Sequence, residues 1–231
     1  MRGSVLPPIH HSFDVQLRTL EQRLLSMGSF VAGMLESSIK ALVEQDILLA
    51  EEVIRRDDVA DELDLEIQSS CMHLLALQQP MSKDLRVIGT VYKVTTDLER
   101  IGDYAVDIAK TTIDIASMSR TQTIVRIPKM AEFTARMVRG ALEAFVNRDS
   151  AKIEEVVNLD DEVDELNRQV WQALIEEMRK NPDSIYLASH LILVARCLER
   201  IADHAVNVAE RVQYMETGVL RQLTANHQIL S

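Results

Sequence analysis

Apolar positions recur along this chain at three- and four-residue spacing almost without interruption, and no segment alternates with period two over a useful length. That periodicity is the mark of amphipathic helices and leaves no candidate strands. The breaks are few: Pro7-Pro8, Gln45 to Ile47, Gln79-Pro80, "SMSRTQTIVRIP" and "KNPDS" around Pro182. Between them the spacing predicts six helices, at 10–45, 48–78, 82–118, 129–147, 150–180 and 184–215. Ser82 and Ser184, each two residues past a proline, are candidate N-caps for the third and sixth.

The pattern repeats. A displacement of 103 brings "FVAGMLESSIKALVEQD" (30–46) onto "FTARMVRGALEAFVNRD" (133–149) and "DDVADEL" (57–63) onto "DDEVDEL" (160–166). A displacement of 100 then brings "LERIGDYAVDIAK" (98–110) onto "LERIADHAVNVAE" (198–210), with eight of thirteen positions identical. The change of offset falls where loops tolerate insertion, near Pro80 and Pro182. The chain therefore reads as all-α, two tandem antiparallel three-helix bundles, residues 1–122 and 123–231. Val94, Leu98, Ile101, Ala105 and Ile108 form the apolar stripe of the third helix, and Val194, Leu198, Ile201, Ala205 and Val208 that of the sixth.

On the third helix, Glu99, Asp103 and Asp107 recur every four residues and share an arc of roughly 80°, turned away from that stripe. Like charges at this spacing cost a few tenths of a kcal/mol per pair. The duplication keeps most of them: Glu199 and Asp203 return, and Asp107 becomes Asn207, which retains an oxygen and drops a charge. The second helix of each unit adds a matching pair, Asp57 with Asp61 and Asp160 with Asp164. Side by side in an antiparallel bundle, two such faces converge four or five oxygens on one spot, the requirement of a hard or borderline cation. Without a cation, the carboxylates raise one another's pKa. Arg100 and Arg200, beside the arcs, are placed either to orient carboxylates or to form surface ion pairs.

Composition narrows the options further. Thirty-six acidic residues outnumber 25 Lys and Arg, for a net charge of −11, which argues against binding nucleic acid or an anionic membrane surface unaided. Seven Gly, 5 Pro and 47% hydrophobic residues suit a helical protein. No apolar run approaches the ~18 residues of a membrane span or forms a secretory leader, so a cytoplasmic protein without membrane insertion is expected. Neither Cys71 nor Cys197 has a second cysteine within four residues, which disfavours a zinc knuckle or disulfide framework. None of the six histidines follows a glutamate by three residues, the signature of di-iron carboxylate bundles, and no glycine-rich phosphate loop or nucleophile elbow occurs. His204, beside Asp203, answers to Tyr104 in the first unit and reads as a packing residue. No catalytic apparatus is evident, so the chain is expected not to be an enzyme. The rival readings are a metal store or metal-dependent bundle enzyme, and a scaffold with empty acidic faces.

The doubled "LERIGDYAVDIAK" and "LERIADHAVNVAE", with "SKDLRVI" opening the third helix, resemble the PhoU family of phosphate-uptake and Pho-regulon regulators over nearly the whole chain. That resemblance implies a cytoplasmic, commonly dimeric regulator that works with a phosphate ABC transporter, through its ATPase subunit, and with a phosphate-sensing histidine kinase, repressing both uptake and signalling when phosphate is plentiful. It also implies divalent or trivalent metal ions, iron or zinc foremost and magnesium or manganese as alternatives, in clusters on the acidic faces. The implied ligands are Asp57, Asp61, Glu99, Asp103 and Asp107 in one unit and Asp160, Asp164, Glu199, Asp203 and Asn207 in the other. Where the family usually has His and Asn, this chain has Tyr104 and Asp107, making the first face the more anionic. The "DLR" element, Asp84 to Arg86, stands in the first unit only, so a partner contact made through it would be asymmetric.

Overall fold

The structure, a computed structural model, describes residues 8–118 and 126–223, with the side chains of 8–12 left aside. Its helices are α1 (Pro8–Glu44), α2 (Ile47–Arg55), α3 (Asp57–Gln78), α4 (Ser82–Ile115), α5 (Arg126–Asn147), α6 (Ser150–Lys180) and α7 (Ile185–Thr217), the last preceded by a 3-10 turn, Pro182–Ser184. Among the described residues there is no strand. Six helical rods result, as the periodicity predicts, with one interruption: the rod expected at 48–78 breaks at Arg56. There the amide is shared between the carbonyls of Glu52 and Val53, a tightening of the kind found at helix ends. The boundary expected at 122/123 lies outside the described residues.

The short links within each unit follow one plan. Gln45 and Arg148 adopt left-handed φ of 58° and 56°. The aspartate after each then caps the next helix: Asp46 accepts the Leu49 amide at 3.0 Å and Asp149 the Ala151 amide at 2.8 Å. The serine caps expected for α4 and α7 do not form. Met81 holds the cap position of α4, and Ser184 spends its hydroxyl donating to the Asn181 carbonyl at 2.7 Å. Asn181 instead caps the 3-10 turn that precedes α7.

Each unit is a three-rod bundle, α1 with α2–α3 and α4, α5 with α6 and α7, but the two share a single hydrophobic core. All ten residues of the two predicted stripes are buried in it. The most extensive packing joins the units, α4 against α7. These helices run antiparallel: Thr90 bonds the Arg211 carbonyl, Asp97 reaches His204, and Asp114 faces His190. α1 and α5 cross the same seam antiparallel, with Glu21 paired to Arg148 and Glu36 to Arg139. The halves are thus related by a pseudo-two-fold axis through the α4–α7 seam. Arg86 belongs to this seam. Its Nε donates to the Met215 carbonyl at 3.1 Å and its guanidinium lies over Gly218, whose φ of 74° ends α7. A cation at orphan carbonyls of a helix C-terminus is a cap. Arg86 therefore holds the fold together in addition to any contact it makes outward, and its counterpart Tyr186 stacks on His190 instead, with ring centroids 4.3 Å apart.

Candidate metal-binding faces

Each acidic face is built where two helices of one unit lie side by side with their four-residue acid rows in register. On the first, the carboxylates of α3 and α4 are close enough to raise one another's pKa. Burial, then repulsion from Asp61 and Asp103, raises Asp57. Burial raises Glu99, with Asp103, Asp64 and Asp61 adding to it against the relief from Arg100. Burial likewise raises Asp103, opposed by Arg100 and reinforced by Asp61 and Asp107. All five residues expected on this face are brought together, and Asp64, which the sequence reading left out, joins them.

These carboxylates are less open than the helix-wheel argument implies. Glu99 keeps 23% of its side chain exposed and Asp103 35%, because α3 covers their flank, while Asp61 and Asp107, the latter at 55%, stay exposed. Arg100 bridges the pair, 3.4 Å from Glu99 and 3.0 Å from Asp103. Arg200 repeats the bridge on the second face, 4.0 Å from Glu199 and 3.1 Å from Asp203. Each face thus carries an arginine, and the first adds Lys110, 4.0 Å from Asp107, where the second unit has Glu210.

The second face differs in chemistry. Asp160, expected on an exterior face, is buried at 5% exposure. With Asp203, Asn207, Tyr104 and His204 it lines a cavity of about 310 Å³. Asn167 takes the place of Asp64, and its Oδ1 is buried without a hydrogen-bond partner. Asp97 of the first unit crosses the seam to reach His204 Nδ1 at 2.9 Å and Asn207 Nδ2 at 3.3 Å. His204 is therefore held in a polar pair as well as packed, its ring centroid 5.9 Å from that of Tyr104. At the symmetric place stands Cys197, near Asp107, its thiol pushed up to about 12 by burial and then by that carboxylate, so it stays protonated.

The donors suit a hard or borderline cation: clustered carboxylates with elevated pKa on one face, and on the other an orphaned buried amide oxygen. Their present arrangement is not a finished cage, for among the described residues no group of three or more His, Cys, Asp or Glu is poised to hold a metal ion. Ligation would require side chains to turn inward and Arg100 or Arg200 to swing out, changes of rotamer rather than of fold.

The family model for the PhoU domain matches residues 24–112 and 127–212, one match per unit. The chain belongs to the PhoU family. It is 38% identical over 203 residues to the phosphate-specific transport system accessory protein PhoU homolog of Aquifex aeolicus, covering 88% of this chain and 92% of that one. With the homolog of Clostridium acetobutylicum it shares 35% over 207 residues, 89% and 94% of the two chains. The crystal structure of PhoU from Pseudomonas aeruginosa superposes with a TM-score of 0.87 at 32% identity, over 90% of this chain and all of that one. That of the phosphate transport system regulatory protein PhoU from Streptococcus pneumoniae gives 0.86 at 29%, over 91% and 100%.

Proposed function

We propose that this protein is a non-enzymatic negative regulator of phosphate uptake and phosphate-starvation signalling, an adaptor between the ATPase subunit of a phosphate ABC transporter and a phosphate-sensing histidine kinase. Membership of a family whose named relatives are accessory proteins of phosphate-specific transport supports the transport half of this reading. Among the described residues no helix is long and apolar enough to cross a membrane, which suits a partner that docks onto a transporter rather than forming part of its pore. Exposed Leu65 and Met72 on α3, and Trp171 and Ile175 on α6, offer apolar surface for partners or for pairing of two copies.

The observation that supports the metal half is the clustering of carboxylates on the first face, where burial first and neighbouring acids second raise Asp57, Glu99 and Asp103. Repulsion held in a folded structure is relieved by a cation. Asp57, Asp61, Glu99, Asp103 and Asp107 would hold it in the first unit, and Asp160, Asp164, Glu199, Asp203 and Asn207 in the second. A bound iron, zinc, manganese or magnesium ion would supply the positive charge that Arg100 with Lys110 on the first face, and Arg200 on the second, deliver only in part. Arg100 and Arg200, once displaced, turn outward and alter the surface a partner meets.

Elemental analysis of purified protein, repeated on E99A/D103A and E199A/D203A, tests the sites, and metal content unchanged by both variants defeats the assignment. Pull-down from cells grown with and without phosphate tests the role. Recovery of the transporter ATPase or the kinase supports it, and recovery of neither overturns it.

A further inference from the structure

The groove between α1 and α3 is an unassigned feature that stands apart from both acidic faces. It encloses about 330 Å³, within the range of small-molecule sites, and none of its lining residues is a carboxylate, in a chain carrying 36 of them. Its lining combines polar residues, Gln16, Arg23, Ser69 and His73 among them, with apolar Val15 and Leu74.

Its donors are largely uncommitted. Arg23 makes no ion pair among the described residues, and its one hydrogen bond runs from Nη1 to Ser70 Oγ at 3.3 Å, leaving four N–H groups. The Ser70 hydroxyl donates to the Glu66 carbonyl, so it accepts from Arg23 without competing for an anion. Gln16 uses its Oε1 to accept from Gln78 at 3.5 Å, which leaves its amide donors. Among the described residues, Ser69 and His73 are engaged by no hydrogen bond.

The duplication supplies the contrast. Arg126 stands where the first unit has Arg23, but it is bound to Gln169 Oε1 at 2.9 Å, and Ala173 and Glu176 replace Ser70 and His73. One unit pairs the duplicated arginine with hydroxyls and an imidazole. The other binds it to an amide acceptor and has a carboxylate, which repels anions, at the position of the imidazole.

We infer that the α1–α3 groove binds a phosphate monoester, its dianion held by Arg23, Ser69 and His73 and its organic group laid against Val15 and Leu74. The site is assembled from side chains of two helices, which is why a search for a glycine-rich phosphate loop does not find it. It shares no residue with the metal-binding faces, so it stands or falls independently of them.

The test is calorimetric titration of the full chain, chelator-treated so that no metal-borne phosphate site contributes, with phenyl phosphate and inorganic phosphate as probes. Phenyl phosphate should saturate a single site in the range of about 0.1 to 1 mM, and inorganic phosphate should bind more weakly. Arg23→Gln should weaken phenyl phosphate about tenfold or more, the loss of a charge-assisted contact, and His73→Gln less. Arg126→Gln should bind as the parent does. No saturation by about 10 mM phenyl phosphate, equal affinity for the two probes, or equal behaviour of the Arg23 and Arg126 variants in chains of unchanged helical content would each overturn the assignment.

Discussion

The two acidic faces began as copies of one sequence and now differ in how they manage charge. The first gathers six carboxylates, Asp57, Asp61, Asp64, Glu99, Asp103 and Asp107, at the kinked start of α3, and three of them are pushed up by burial and by one another. The second replaces two of the six with Asn167 and Asn207, buries Asp160 within an unbroken α6, and borrows Asp97 from the other unit. Duplicated acids alone therefore do not make equivalent sites. What surrounds them would decide how much a cation gains by binding.

The largest effect should test the part of the comparison that holds. Leu98 and Leu198 occupy symmetric places in the shared core at 1% and 0% exposure. Leu98→Ala and Leu198→Ala should each lose about 3 kcal/mol of stability in urea unfolding. Values differing by more than about 1 kcal/mol would break the two-fold equivalence of the seam.

Next comes the charge difference itself. A divalent cation at a hundredfold its dissociation constant should add about 2.7 kcal/mol, read as a rise in Tm. D61N/D103N should remove more of that rise than D164N/D203N, since the first face relieves more repulsion. The reverse order would move the stronger site to the second unit.

Arg86→Ala should then cost about 1 kcal/mol, the worth of a helix C-terminal cation and one hydrogen bond. Hydrogen exchange should locate that loss in the last turn of α7, near Met215. Tyr186→Ala, at the counterpart position, should leave the C-terminal turn of α4 protected.

The smallest effect is in pH. Asp57, Glu99 and Asp103 are raised above their ordinary values, so between those values and the raised ones the folded chain binds more protons than the unfolded chain. Stability of the metal-free protein should fall as pH rises through that window, and recover on acidification toward the ordinary carboxylate range. Asp57→Asn, which removes one of these charges without touching Arg100, should raise Tm at neutral pH by about 1 to 3 °C and flatten the profile. A Tm that drops with this substitution would show Asp57 to be stabilised where it stands.

Much of this was legible in the sequence, and the misses share a cause. The rods, the duplication and both apolar stripes follow from periodicity, because packing helices bury whichever face is apolar. The acid rows followed from the repeat. Asp97 did not, because it reaches the second face from the other unit, across a seam that spacing along one helix does not reveal. Asp64 and Asn167 stand three residues past Asp61 and Asp164, so a four-residue spacing does not select them. Arg86 read as a candidate partner contact because its use as a cap depends on the end of a helix 129 residues away. Glu99, Asp103 and Asp160 are more enclosed than a single helix wheel indicates, since a wheel shows which way a side chain points and omits the neighbour that covers it. The expected serine caps do not form because Met81 takes the cap position of α4 and a 3-10 turn capped by Asn181 precedes α7.

The antiparallel seam has a further consequence, which concerns inheritance. In a homodimer of single units, one codon would set both copies of a residue facing the axis, so every change would be made twice and a groove could be altered only together with its twin. Joined in one chain, the halves are released from that constraint: position 97 can be aspartate while position 197 is cysteine. The wall that each half lends to the other's groove can then be edited alone. A protein built this way can keep the economy of a symmetric architecture while presenting its two sides to different tasks.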